Sequence, residues 1–211
     1  MPLPTFAIPK DAGLLRAYMG CAKLLAATAQ WQRETGRDEI GATERIFFPE
    51  LPVEDLTEIG LPENSLPVPV AIISRPVAMP YYRGHGPADS QGRVNTDHYY
   101  GSLMLNLVLP ESAAYADSHV DRWADIIARM EICIQQMRAL KNNPPTPAHD
   151  PAFNTWNFDN FAIFHRGDND TGEPSEVGQR EEGQAWDLRD WNGDPLGRRA
   201  FTSSWILDFG Y

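Results

Sequence analysis

The residues of this 211-residue chain whose types could do chemistry are two acidic clusters, five histidines and two cysteines. Asp168-Asn169-Asp170 opens like a calcium-binding loop, in which alternating side-chain oxygens surround the ion. Such a loop needs glycine at its sixth position and glutamate at its twelfth. Here glycine comes at the fifth, Gly172, and the twelfth is Gln179. Asp190, Asn192 and Gly193 fit the same loop only in a frame that begins at Leu188 and ends at Arg199, neither of them a ligand. Asp170-Thr171-Gly172 is the tripeptide of aspartic proteases, whose chemistry requires two carboxylates sharing a proton in an apolar setting. Flanked by Asn169 and Glu173, it reads as a solvated turn. His85, His98, His119, His149 and His165 include no pair at helical spacing, so no zinc or dimetal site is expected. Cys21 and Cys133 belong to no Cys-x-x-Cys or Cys/His pattern and read as buried free thiols. With no Gly-x-Ser-x-Gly elbow, phosphate loop or dinucleotide fingerprint either, the residues predict no catalytic centre, no metal and no cofactor.

The elements that must carry such side chains are bounded by composition. Length and 42% apolar content suit one hydrophobic core, so residues 1–211 are expected to form a single domain. Eighteen prolines and 16 glycines predict few helices and long connections. The net charge of −11 disfavours nucleic-acid binding, because an acidic surface cannot neutralise phosphates or release their counterions. Neither a leader at Met1–Lys10 nor an apolar run of membrane-spanning length is evident, which predicts a cytoplasmic product.

Helical spacing recurs twice. Leu14, Tyr18, Cys21, Ala22, Leu25 and Ala29 share one face of a helix expected from Asp11 to about Gln32 and ended near Gly36. A second helix is expected from Ser118, whose hydroxyl can cap its first turn, to the Pro144-Pro145 stop. Its seam is Val120, Trp123, Ile127, Met130, Ile134 and Met137. Elsewhere the period is two. Gly101–Leu109 sets Leu103, Leu105, Leu107 and Leu109 on one side, a strand with one buried face. Val68–Arg75, Asn157–Phe164 and Arg199–Tyr211 are further strands, and Arg45–Phe48 is a possible short one. The expected fold is α+β. A single, mainly antiparallel or mixed sheet of four to five strands carries two main helices on one face, with long extended loops at 42–67, 77–97 and 167–198.

Two of these loops exceed ordinary connections. Val77–Asp97 reads as an extended hairpin arm or flexible loop, and its Tyr81, Tyr82 and Arg83 are candidate interface residues. Gly167–Arg198 holds nine acidic and three basic residues, so −6 of the −11, together with Trp186 and Trp191. Tryptophan embedded in charge marks an interaction loop; the alternative is that the tryptophans fold back on their own domain.

Three stretches resemble the tail terminator proteins of long-tailed bacteriophages, especially the lambda-like group. Pro67-Val68-Pro69-Val70-Ala71-Ile72-Ile73 is similar to the family's first core strand. Ser102-Leu103-Met104-Leu105-Asn106-Leu107-Val108-Leu109-Pro110 is similar to its central strand, which leads into a helix opening with Asp and Trp, here Asp121 and Trp123. Phe201-Thr202-Ser203-Ser204-Trp205-Ile206-Leu207-Asp208-Phe209 is similar to its closing strand. The chain is longer than the family's known members, and the excess lies in the three loops. The resemblance implies a structural virion protein at the tail neck, assembled in the host cytoplasm and without enzymatic activity. It implies a homo-oligomeric ring, usually of about six subunits. Such a ring caps the tail tube, ends its polymerisation and contributes to head-tail joining. Its partners would be the tube protein, a head-tail connector or neck protein, and a sheath protein if the tail is contractile. DNA would pass through the lumen without specific binding.

Three other readings use the same residues. A head-tail connector or neck protein also forms acidic rings, although those families usually rely on helical bundles or small barrels. A small-ligand binding module could use the aromatic loops as a lid. A hydrolase would have to draw on Asp168, Asp170 and Glu173.

Overall fold

A computed structural model describes residues 13–49, 65–75, 82–84, 98–112, 122–142, 160–165, 175–177 and 187–210. The elements in chain order are α1 (Gly13–Ala26), α2 (Ala29–Thr35), α3 (Glu39–Thr43), β1 (Ile46–Phe47), β2 (Ser65–Pro67), β3 (Val70–Ser74), β4 (Tyr82–Gly84), β5 (His98–Pro110), α4 (Arg122–Asn142), β6 (Asn160–His165), β7 (Ser175–Glu176), β8 (Asp187–Arg189) and β9 (Ala200–Gly210). The fold is α+β, as the periodicities require.

The first helical segment is broken where the sequence predicts continuity. Thr28 is the cause. Its hydroxyl donates to Leu25 O (2.7 Å) at the end of α1 and accepts from Trp31 N (3.2 Å) as the cap of α2. One buried side chain thus satisfies orphan groups of both helix ends. Gly36 closes α2 in the left-handed conformation, φ 63°, which a glycine adopts without steric cost. The five-residue α3 is absent from the sequence-based expectation. Asp38 caps it by accepting from Gly41 N (2.9 Å), and fully buried Trp31 fixes it by donating Nε1–H to Ala42 O (3.1 Å).

The main sheet runs β1-β3-β5-β9-β6, with β4 added to β5 and β7 to β9. Only β1 and β3 pair parallel; every other pair of this sheet is antiparallel. A second sheet of two parallel strands joins β2 to β8. The last strand lies in the middle, between β5 and β6, which α4 connects in sequence. The Val77–Asp97 segment contributes β4, which folds back on the start of β5 as the hairpin-arm reading anticipates (Tyr82 opposite Tyr100, Gly84 opposite His98).

Alternation decides the core. Ala71, Ile73, Leu103, Leu105, Leu107, Leu109, Phe201, Trp205 and Leu207 face the helices and pack with Ala17, Leu24, Leu25, Met130, Ile134 and Met137. In α4 the expected seam holds at Met130, Ile134 and Met137 and departs at Ile127. Ile127 is half-buried, while Ile126 and Cys133 are buried with Met130, Ile134 and Met137. The helix beds into a broad groove against α1 and α2, so its apolar stripe is wider than a heptad line. The Ser118 cap and Val120 lie outside the described residues.

The single buried face expected for β5 needs correction too: Met104, Asn106 and Val108, on the side away from the helices, are also buried. Over the end of the sheet nearest Val70 and Val108, that side is covered by a second apolar cluster. Leu66, Val68, Val70, Ile72, Val108 and Ala200 form it, with Phe47, Val177, Leu188, Trp191 and Leu196 packed around them. Much of this cover comes from Gly167–Arg198, expected as a loop, which supplies β7, β8 and a turn.

Buried charge ties α2 to α4. Arg129 donates from Nε to Glu34 (2.9 Å) and from Nη2 to the other Glu34 oxygen. Its Nη1 reaches Asp125 (3.1 Å) and Pro110 O (3.0 Å) at the end of β5. Burial opposes the Arg129 charge, but the two carboxylates outweigh it and its pKa is raised. Glu34→Ala should therefore cost about 2–3 kcal/mol in urea denaturation, somewhat under the figure for a fully buried pair because Asp125 still partners Arg129. The same change at exposed Glu131 should stay within about 0.5 kcal/mol. Equal losses at the two positions would contradict the clamp.

Candidate functional site

The sequence-derived site residues divide three ways. Tyr82 and Arg83 lie on β4, opposite Tyr100 and Tyr99 of β5. Tyr81 and Trp186 lie outside the described residues, as do Asp168, Asp170, Thr171, Gly172 and Glu173. Trp191 is placed, and it packs on its own domain. Its indole Nε1 donates to Pro69 O (2.7 Å) and its ring stacks on Phe47 (centroids 6.0 Å apart, planes 29° apart). Trp191 follows the alternative weighed beside the interaction-loop reading in that its indole is half-buried on the second apolar cluster.

Asp190, the acid of the second calcium-like frame, is engaged by its own turn. One carboxylate oxygen accepts from Asn192 N (2.8 Å) and Asp194 N (3.0 Å), while Asp190 N donates to Asp194 O (2.8 Å). Gly193 takes φ 90°, a conformation that disfavours any side chain. Arg189 reaches over the turn to Gly193 O (2.6 Å) and pairs with Asp187 (2.6 Å). Oxygens holding amide hydrogens face away from a cation, so this loop builds the turn that carries Trp191.

Chemical reactivity is low elsewhere among the described residues. No group of three His, Cys, Asp or Glu side chains could hold a metal ion, and no helix is long and apolar enough to cross a membrane. Cys21 and Cys133 are both free and buried, and burial pushes both thiols far up, away from the thiolate that nucleophilic chemistry requires.

The arrangement with unused binding capacity lies at Arg45, between α3 and β1. Its guanidinium carbon sits 3.7 Å from the centroid of the Trp191 ring. The residue is 9% exposed, and its buried Nε has no hydrogen-bond partner. Burial lowers the Arg45 pKa, the nearby Arg37 lowers it further, and Glu44 acts the other way. A guanidinium over an indole is attracted to the ring's negative face. Arg45 stood at the border of an expected strand and Trp191 in an expected interaction loop, but no spacing rule connects residues so far apart in sequence.

The Asp190 turn is directly testable. Asp194 N–H, the largest influence, together with the Asn192 amide holds the Asp190 carboxyl below the ordinary aspartate value of 3.8. Its stabilisation of the turn is complete above the unfolded-state value and is lost as pH falls through the lowered folded one. A carboxyl-carbon NMR titration should place the Asp190 midpoint below that of Asp194→Pro protein, which lacks the donating amide; coincident midpoints would refute the assignment.

No protein-family model matches the chain, and no curated protein is significantly similar to it in sequence.

Proposed function

We propose that this chain is a structural virion protein, a ring-forming terminator that caps a bacteriophage tail tube, ends its polymerisation and helps to join head and tail. The observation that carries the reading is where the three resembling stretches go. Far apart in sequence, they contain β3, β5 and β9, which are consecutive neighbours in the sheet, and α4 follows β5 in the chain. Matches scattered by chance would have no reason to assemble into one contiguous structural unit.

Two physical features support the role. A ring needs a heterologous contact, one patch of each subunit meeting a different patch of the next. β5 outruns β3, whose pairing stops at Met104, and pairs with β4 over His98–Tyr100, so the hairpin arm is available for such a contact. The charge of −11 suits a channel through which DNA slides, since an acidic wall repels phosphate. The tube protein and a connector or neck protein are the partners this reading requires, with a sheath protein added in a contractile tail.

Native mass measurement and negative-stain imaging should show closed rings of roughly six subunits, on their own or on tail tubes. Deletion of residues 77–97 should leave a folded monomer with native near-ultraviolet circular dichroism. Rings formed by the deletion protein would exclude the arm as the contact, and a strict monomer that does not bind tubes would sink the terminator reading.

A further inference from the structure

Residues 187–196 lie over the second apolar cluster as a strap. None of them is buried: Leu188, Arg189, Asp190, Trp191 and Leu196 are half-buried and the others exposed. The strap folds on itself. The Asp190 carboxylate accepts from the amides of Asn192 and Asp194, Arg189 donates to Gly193 O (2.6 Å), and Leu196 N donates to Leu188 O (2.8 Å). These bonds survive if the strap moves as a unit. Its ties to the domain are the three-residue pairing of β8 with β2, the bond from Val68 N to Arg189 O (2.9 Å), and the Trp191 indole, which donates to Pro69 O (2.7 Å) and stacks on Phe47. Arg199, held by Glu111, anchors the point where the chain rejoins the main sheet.

Beneath the strap sits Arg45, with the Trp191 ring over its guanidinium and its buried Nε without a hydrogen-bond partner. Taking a charged donor out of water without giving it an acceptor is unfavourable, and the attraction of the ring for the cation offsets only part of that cost. Neighbouring charges do not make up the difference. Burial first and Arg37 second lower the Arg45 pKa, against which Glu44 acts in the other direction. A lowered arginine pKa means that the folded surroundings disfavour the charge. Lifting Trp191 would let water reach Nε, so the open arrangement relieves what the closed one imposes.

We infer that residues 187–196 open as a unit while β5 and β9 stay paired, uncovering the second apolar cluster, and that buried Arg45 biases the strap toward opening. Segments with few buried contacts open below the free energy of global unfolding. The helix side of the sheet is built differently. Its buried arginine, Arg129, is paired with Glu34 and Asp125, and α4 seats Ile126, Met130, Cys133, Ile134 and Met137 in the core.

Hydrogen exchange followed by NMR on the full chain reads two bonds across the strap contact, Val68 N–H and the Trp191 indole N–H, against the amides of the β5–β9 pairing. In the wild type the two reporters should exchange roughly 100-fold faster than those amides and respond little to low urea, the mark of an opening that exposes little surface. Arg45→Met, similar in length and uncharged, should slow both reporters roughly 10-fold, as when a buried charge is replaced by an apolar side chain. Arg45→Lys keeps the charge and should not slow them. Reporters that exchange at the rate and with the urea dependence of the β5–β9 amides would overturn the strap. Reporters as fast as wild type, or faster, in folded Arg45→Met would overturn the part given to Arg45. Should Arg45→Met fail to fold, Arg37→Ala, altered at an exposed position, must slow the reporters roughly 2-fold by removing a repelling charge, and unchanged rates there would overturn that part as well.

Discussion

The pairing of β5 with β9 is the interaction on which the rest of the structure depends. It runs through eleven positions, from Tyr100 opposite Gly210 to Pro110 opposite Ala200. β3 builds outward from one side of this pair and β6 and β7 from the other, and the row it presents, from Leu103 to Leu109 and Phe201 to Leu207, is the floor on which α1 and α4 lie. Its far end is fastened by Arg199, which donates to Glu111 through Nε (3.0 Å) and Nη2 (2.5 Å), while Glu111 N donates to Arg199 O (2.9 Å). Because β9 enters between β5 and β6, the sheet is incomplete until the final segment of the sequence arrives. Contacts this distant in sequence carry a large chain-closure cost and form slowly.

Polar pairs on the second side of the ladder pin its register. Ser102 donates to Asp208 (2.5 Å) and Ser204 to Asn106 (2.5 Å), each across a directly paired position. A slip of one residue would turn Asn106 and Asp208 toward the helices and expose the leucines, so the apolar row and the polar row specify the same alignment. Such agreement between independent signals separates one native pairing from its competitors.

The same architecture explains how surface chemistry is distributed. Among the described residues Arg129 is matched by Glu34 and Asp125, and exposed Arg199 by Glu111 and Glu176. Arg45 instead lies over an aromatic face. That ring belongs to a segment expected as an interaction loop, whose Leu188, Trp191 and Leu196 pack on the second apolar cluster and whose Asp190 folds the turn between them. Part of the acidic surplus thus serves local geometry.

Much of the fold was legible from local pattern. Leucine alternation located β5, the Phe-Ser-Trp-Leu alternation located β9, and helical spacing located α1 and the body of α4. These signals survive in one dimension because a strand or helix half buried in a core repeats its environment every two or three to four residues. The break at Thr28 had its signal in a capping residue, but capping strength alone does not say whether a helix stops or continues; packing of Trp31 under α3 decides that. The second buried side of β5 and the docking of Trp191 on Phe47 and Arg45 had no local signal at all. Local composition determines which segments can bury a face, whereas which distant segment covers that face is settled only when the whole chain has to exclude water and satisfy its polar groups at once.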